Sequence, residues 1–322
     1  MNLRCQRCSL ETPEELIFCL RCGSGLAPRS GYDLTIDDFA YGPDRDAIQM
    51  MKATGILPYL VKHLALADFE NRLCSKLSSD GRKITYPSQL DELLRHSANL
   101  FSLDVLPELF VIDFGQPTAF TFGSENQAYV VIDASAVTLL SNPELTALIS
   151  HELGHIKSGH MLYHTLAELL GGGISFSASY LGLSILSLPV RLALLSWHRQ
   201  SEVTADRAGL LAVNDIGVIK SFMNKLALRA SGGLASRSSY DIENEKVGTL
   251  ESISELLRTH PAYVNRFRLV KEFWGNEQFL TARKKIELRL GVIRALIPVC
   301  RFCGASKPVS ELFCPNCGRC QT

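Results

Sequence analysis

Residues His151-Glu152-Leu153-Gly154-His155 constrain this chain more than any other stretch. Ser141 or Asn142 can cap a helix just upstream, Pro143 suits its first position, and Glu144 suits its first turn. Leu145, Leu148, Ile149, Leu153 and Ile156 then recur at helical spacing. On that helix His151 and His155 lie four apart on one face, so two imidazoles can grip one zinc ion. Glu152 sits beside the first of them, where its carboxylate could take a proton from a zinc-bound water. Two surface histidines on a core helix are the plain alternative until a third ligand is found. A remote segment must therefore return to this helix.

Trp197 to Gly209, WHRQSEVTADRAG, offers that segment. Glu202 and Asp206 are four apart on an expected helix, so both can face His151 and His155. Glu202 can complete a two-His, one-Glu shell with one position left open for water. Asp206 can accept the outer N–H of a ligating imidazole and so fix its tautomer. A surface Glu-Asp pair is the plain alternative here. The intervening stretch is the most apolar of the chain, and Gly171 to Val190 runs twenty residues without a charge. A single membrane span of ~20 residues would leave the two halves of the zinc shell on opposite faces of the bilayer. Two spans would need about 40 residues plus a turn, and only about 30 separate Glu168 from His198. Glycines and Pro189 interrupt it further. Two helices packed into the protein are expected, with a shallow membrane-docking hairpin over 166–197 as the alternative.

Cysteine spacing organises the ends. Cys5, Cys8, Cys19 and Cys22 form two Cys-x2-Cys pairs parted by ten residues, and Cys300, Cys303, Cys314 and Cys317 repeat that pattern. The surroundings repeat as well, CQRCSLETPEELIFCLRCG against CRFCGASKPVSELFCPNCG. Each set supplies four thiolates, a closed tetrahedral shell for structural zinc, and both resemble zinc ribbons. Segments of about 20 residues cannot bury enough surface to fold alone, so metal would supply the folding free energy. The N-terminus lacks the apolar region of a secretory signal, and paired thiols suit a reducing compartment. A cytoplasmic location is expected, with membrane association as the alternative. The chain has 33 basic and 33 acidic residues, and neither ribbon has a dense Lys/Arg cover, which argues against nucleic acid. For the ribbons, a protein partner or the other ribbon stays open, and the sequence does not choose between them.

Between the ends, residues 29–43 read as a linker. The run from Arg45 reads as two helices interrupted near Gly55 and Pro58, and SQLDELLRHSANLF as another. Glu108–Asp113, Ala119–Phe122 and Tyr129–Ile132 read as strands of a small sheet just ahead of the zinc helix. An exposed edge of that sheet could take an extended substrate as an added strand; an ordinary core sheet is the alternative. His160 and His164 read as continuing the zinc helix as packing or supporting groups. Ser231 to Gly248 reads as a polar loop, and residues 271–298 as a helical connector packed on the catalytic core.

HELGH, SEVTADRAG and then Thr259-His260-Pro261 with Arg266 together resemble the HtpX-like, CaaX-prenyl-protease-related family of gluzincin metallopeptidases. The resemblance covers roughly residues 44 to 270. It implies a mainly α-helical peptidase core with a small β-sheet, an α+β zincin-like fold. It also implies His151, His155 and Glu202 as ligands, Glu152 as general base, and Asp206 with Arg266 as supporting groups. His260 would be a site-proximal donor, steadying the oxyanion or capping zinc at rest. Membrane members of the family carry full spans that are missing here, so processing of prenylated proteins and membrane quality control fit poorly. The organisation expected is a ribbon over 1–28, a linker over 29–43, a zinc metallopeptidase domain over 44–270, a connector over 271–298 and a ribbon over 299–322. The expected activity is metalloendopeptidase cleavage of protein or peptide substrates, with one catalytic and two structural zinc ions. The alternative is a latent zinc-binding scaffold whose ribbons recognise a protein partner.

Overall fold

The computed structural model describes residues 2–13, 18–26, 32, 34–53, 66–114, 118–124, 127–165, 188–230, 241–243 and 263–296. The second ribbon, His260, most of the apolar segment and most of the polar loop lie outside the described residues.

Helices dominate. They are α1 (Gly42–Ala53), α2 (Leu66–Asp80), α3 (Gln89–Leu100), α4 (Ala134–Leu139), α5 (Asn142–Lys157), α6 (Leu188–Val213), α7 (Ile216–Ala230), α8 (Tyr263–Phe273) and α9 (Glu277–Leu296). Strands β1 (Asn2–Arg4) and β2 (Glu11–Pro13) pair within the first ribbon. Strands β3 (Arg82–Ile84), β4 (Glu108–Ile112), β5 (Ala119–Ser124) and β6 (Gln127–Asp133) form one sheet in the order β3-β4-β6-β5. Only β4 and β6 run parallel. Strand β5 therefore ends the sheet.

Alternation along β4 and β6 buries both faces. Leu109, Val111, Val130 and Ile132 join the main core with Leu148 and Ile149 of α5 and Leu94 of α3. Phe110, Ile112, Phe122 and Val131 point the other way, under Leu77 of α2. The sheet thus has a helix layer on each side, with β5 as an edge strand among the described residues.

Helix α5 starts where sequence places it. Ser141 and Glu144 form a reciprocal capping box, and the Ser141 N–H donates to Glu144 Oε2 at 2.7 Å. The helix stops at Lys157 because Gly159 takes a left-handed φ of +68°. His160 and His164 are therefore not on the zinc helix. The turn folds His160 back, its N–H donating to the His155 carbonyl at 3.0 Å, and a new helical stretch runs over 161–165.

Helices α5 and α6 pack closely in the core. A Cβ at Gly154 would lie 2.7 Å from Ala208 Cβ, and one at Gly209 would lie 3.0 Å from the Ala147 carbonyl oxygen. Two glycines and two alanines bring the backbones together, so short side chains can meet across the seam.

Stretches outside the peptidase core are packed against it. Leu34 and Phe39, within the linker-like stretch, are fully buried. Helix α9 buries Phe279, Ala282 and Ile286, and its Lys285 pairs with Asp38 at 2.8 Å. No helix among the described residues is long and apolar enough to cross a membrane.

Candidate active site

Helix α5 contributes His151, Glu152 and His155, and α6 contributes Glu202 and Asp206, all buried. His151 Nε2 and His155 Nε2 lie 3.2 Å apart. Glu202 Oε2 is 3.7 Å from the first, and its Oε1 is 3.4 Å from the second. A tetrahedral zinc with bonds of about 2.0–2.1 Å separates its ligand atoms by ~3.3 Å, so these three edges suit one ion.

The hydrogen bonds behind the ligands decide what these atoms are. His151 Nδ1 donates to Asp206 Oδ1 at 2.9 Å, which makes its Nε2 a lone-pair acceptor. His160 Nε2 lies 3.3 Å from Asp44 Oδ2, an ion-pair distance that favours a proton on Nε2 and a lone pair on His160 Nδ1. His155 Nδ1, 3.1 Å from that atom, must then be the donor. Both Nε2 atoms are left as lone pairs aimed at each other and at a carboxylate, away from water. Three acceptors so placed repel one another unless a cation sits between them. The donor set fits zinc.

Charge is arranged to match. Burial presses the His151 imidazole down, but the Asp206 hydrogen bond and the Asp206, Glu202 and Glu152 charges outweigh it and raise its pKa. Burial, reinforced by neighbouring His164, holds His155 well below the ordinary imidazole value. Arg266 of α8 donates through Nε and Nη2 to Asp206 at 2.7 and 2.6 Å, and through Nη1 to Glu202 Oε2 at 2.7 Å. Burial disfavours its charge, but Asp206 and Glu202 outweigh that and strengthen its protonation. One guanidinium thus fixes both carboxylates of α6. Glu152 Oε2 accepts from the Thr121 hydroxyl at 3.0 Å, which ties the carboxylate beside the ligands to edge strand β5.

The sequence matched by the model of peptidase family M48 spans residues 87–273, more than half of the chain. The chain belongs to peptidase family M48. Its relatives agree. The plastoglobule-localized metallopeptidase 48 of Arabidopsis thaliana chloroplasts is 28% identical over 273 residues, 79% of this chain and 77% of that protein. A protease HtpX homolog of Salinibacter ruber is 29% identical over 209 residues, 59% of this chain and 74% of that protein. Another, from Burkholderia thailandensis, is 25% identical over 221 residues, 61% and 77% of the two chains. This M48 member is accordingly an HtpX-like zinc metallopeptidase acting on protein or peptide substrates.

Four groups around the site were not assigned from sequence. Asp44 lies in α1, ahead of the family match, and the Thr204 hydroxyl also donates to it, at 2.5 Å. Thr121 carried no signal beyond its place in a strand. His198 precedes Glu202 by one helical turn, a spacing visible in the sequence but not read there as part of the site.

The first ribbon also assembles. Cys5 and Cys22 Sγ lie 3.5 Å apart, as do those of Cys8 and Cys19, and all four converge within 4.8 Å. Tetrahedral zinc with Zn–S bonds near 2.3 Å would set sulfur atoms ~3.8 Å apart. Burial works against the Cys19 thiolate, but backbone N–H groups of Cys22 and Arg21 outweigh it and bring its pKa to about 6. Burial and the other thiols push Cys22 up to about 12. Thiols this close cannot all ionise unaided, and a dication is what would let them.

Proposed function

We propose that His151, His155 and Glu202 hold one zinc ion and that Glu152 is the general base of a metalloendopeptidase. The observation that carries the reading is the convergence of two imidazole lone pairs and a carboxylate in a buried pocket, each backed by its own hydrogen-bond partner. Bound zinc would polarise a scissile carbonyl and lower the pKa of an attacking water. Glu152, held by Thr121, takes the proton as the water oxygen bonds to the carbonyl carbon. It returns that proton to the amine as the C–N bond breaks. Asp206 and His160 keep the ligand imidazoles in the tautomer that offers Nε2. His260, outside the described residues, is assigned the developing oxyanion. An extended substrate lies along edge strand β5, whose Thr121 reaches the base.

Glu152→Gln tests the base. It should retain zinc and lose peptide cleavage by two orders of magnitude or more. His260→Ala, carried through the same assay, should also keep zinc and lose turnover. Unchanged cleavage by Glu152→Gln would overturn the mechanism. The two ribbons are assigned one structural zinc each, and a protein partner. Cytoplasmic placement is proposed from the paired ribbon thiols, which suit a reducing compartment, with peripheral membrane association through 166–197 as the alternative; the plastoglobule location named for the Arabidopsis relative favours that alternative. Recovery of the protein in the membrane fraction after alkaline washing would count against peripheral contact.

A further inference from the structure

Five of the eight histidines collect around Glu202, and the zinc site with its relay uses only three of them. His164 and His198 remain. His198 lies on α6 four residues before Glu202, on the same face, and is fully buried. His164 comes from the helical stretch 161–165, beyond the turn at Gly159. Its Nε2 lies 3.1 Å from Glu202 Oε1, and its side chain is 14% exposed. The two rings face each other at 3.8 Å between centroids, and Trp197 stands edge-on beside His164.

The ligand atoms of His164, His198 and Glu202 come within 4.8 Å of one another, and this group shares only Glu202 with the first. It repeats the donor set of the first site, two imidazoles and a carboxylate. The two oxygens of Glu202 are divided between neighbours. Oε2 meets Arg266 and His151, and Oε1 meets His155 and His164. Charge also permits a second cation. Among the described residues, the four buried carboxylates of Asp44, Glu152, Glu202 and Asp206 meet one arginine, Arg266, so they outnumber the positive charge that Arg266 and one zinc supply.

We propose that His164, His198 and Glu202 form a second divalent-cation site that fills with zinc above the concentration saturating the first, and that its filling lowers peptidase activity. The inference rests on reading His151, His155 and Glu202 as the first zinc site. Sharing Glu202 would make the second ion the weaker bound, and would draw the carboxylate away from the first ion. The partly exposed edge of His164 is the route of entry.

The test is equilibrium dialysis of the full chain against stepwise increasing zinc, with metal counted by elemental analysis and peptide cleavage followed in parallel. Wild type, His164→Phe, His198→Gln and His151→Phe are compared. Circular dichroism reports whether the fully buried His198 position tolerates its change. His164→Phe, at the edge and retaining a ring against Trp197, answers the same question independently. At high zinc the wild type should carry one ion more than His164→Phe, with equal counts at low zinc. Over the same range the wild-type rate should fall several-fold from its maximum, while the His164→Phe rate stays level relative to its own. Equal zinc content at every concentration would overturn the site. An added ion that leaves the rate unchanged would overturn its inhibitory role. His151→Phe separates the two readings: undiminished zinc at low concentration in that variant would sink the first site, whatever His164→Phe shows.

Discussion

At the scale of single residues, the first ligand and the second are supported unequally. His151 leans on Asp206, which Arg266 locks from two sides. His155 leans on His160, which Asp44 orients from a helix outside the family match. Supporting groups of this kind are worth about 10–100-fold in metal affinity. Asp44→Ala should therefore weaken the catalytic zinc by about tenfold or more, because His160 loses the acceptor that fixes its tautomer. His160→Gln, which removes the relay without disturbing the Thr204 contact to Asp44, should weaken zinc to a similar extent. Chelator competition on both proteins measures it, and unchanged affinity in both would remove the relay from the site. Nothing local announced Asp44: the Thr204 contact spans 160 positions of chain. The HELGH spacing, by contrast, needs only the helical period to be read.

At the scale of elements, the seam between α5 and α6 sets the distance between the two halves of the zinc shell. Alanine is the better helix former by ~1 kcal/mol, so an isolated α5 would gain from Gly154→Ala. The seam reverses the sign. The added Cβ would stand 2.7 Å from Ala208 Cβ and 3.3 Å from Ala205 Cα, contacts that force the helices apart. Overpacking of this order costs about 1–3 kcal/mol, and Glu202 would move off with α6. Gly154→Ala should lower both stability and zinc affinity, checked by urea melts with and without chelator. A gain in stability would show that the seam yields. The start of α5 carries a pH-dependent contribution. Glu144 is buried; burial opposes its charge, but Lys225, Ser221 and Ser141 outweigh that and hold its carboxyl below the ordinary value. A lowered pKa contributes stability that is present above the unfolded value, ~4.3, and is lost as pH falls through the folded one. Glu144→Gln should therefore be less stable than wild type at neutral pH by about 1–2 kcal/mol, the gap closing below about pH 4. The capping box was legible from sequence; its pairing with Lys225 of α7, across 81 positions, was not. Strand β3 went unread for a related reason: three residues without alternation become a strand only by pairing with β4. The break after Lys157 was written in Gly159, but helical periodicity resumes so soon that His160 and His164 read as one helix with the motif.

At the scale of the whole molecule, the first ribbon is docked on the peptidase core. Gly23 O accepts from the Leu106 N–H at 2.9 Å, and the Gly25 N–H donates to Asp104 O at 3.2 Å. Arg95 of α3 donates to Phe18 O, and the Phe18 ring, 2% exposed, belongs to the main core. Sequence showed a closed four-thiolate shell, and a shell of that kind is equally suited to a free module. Docking depends instead on Phe18 and on backbone groups, which carry no motif. Burying a Phe contributes about 1.5–3 kcal/mol, and each backbone pair about 1 more. Loss of the ribbon zinc should therefore reach the catalytic domain. At zinc levels that saturate only the strong sites, the full chain should hold about three ions, and Cys19→Ser should hold one fewer. The same change should lower the thermal midpoint of the catalytic domain by on the order of 10 °C, in a single transition. Scanning calorimetry with elemental analysis measures both. A midpoint unmoved after loss of that ion would make the ribbon energetically independent, its contacts with the core notwithstanding.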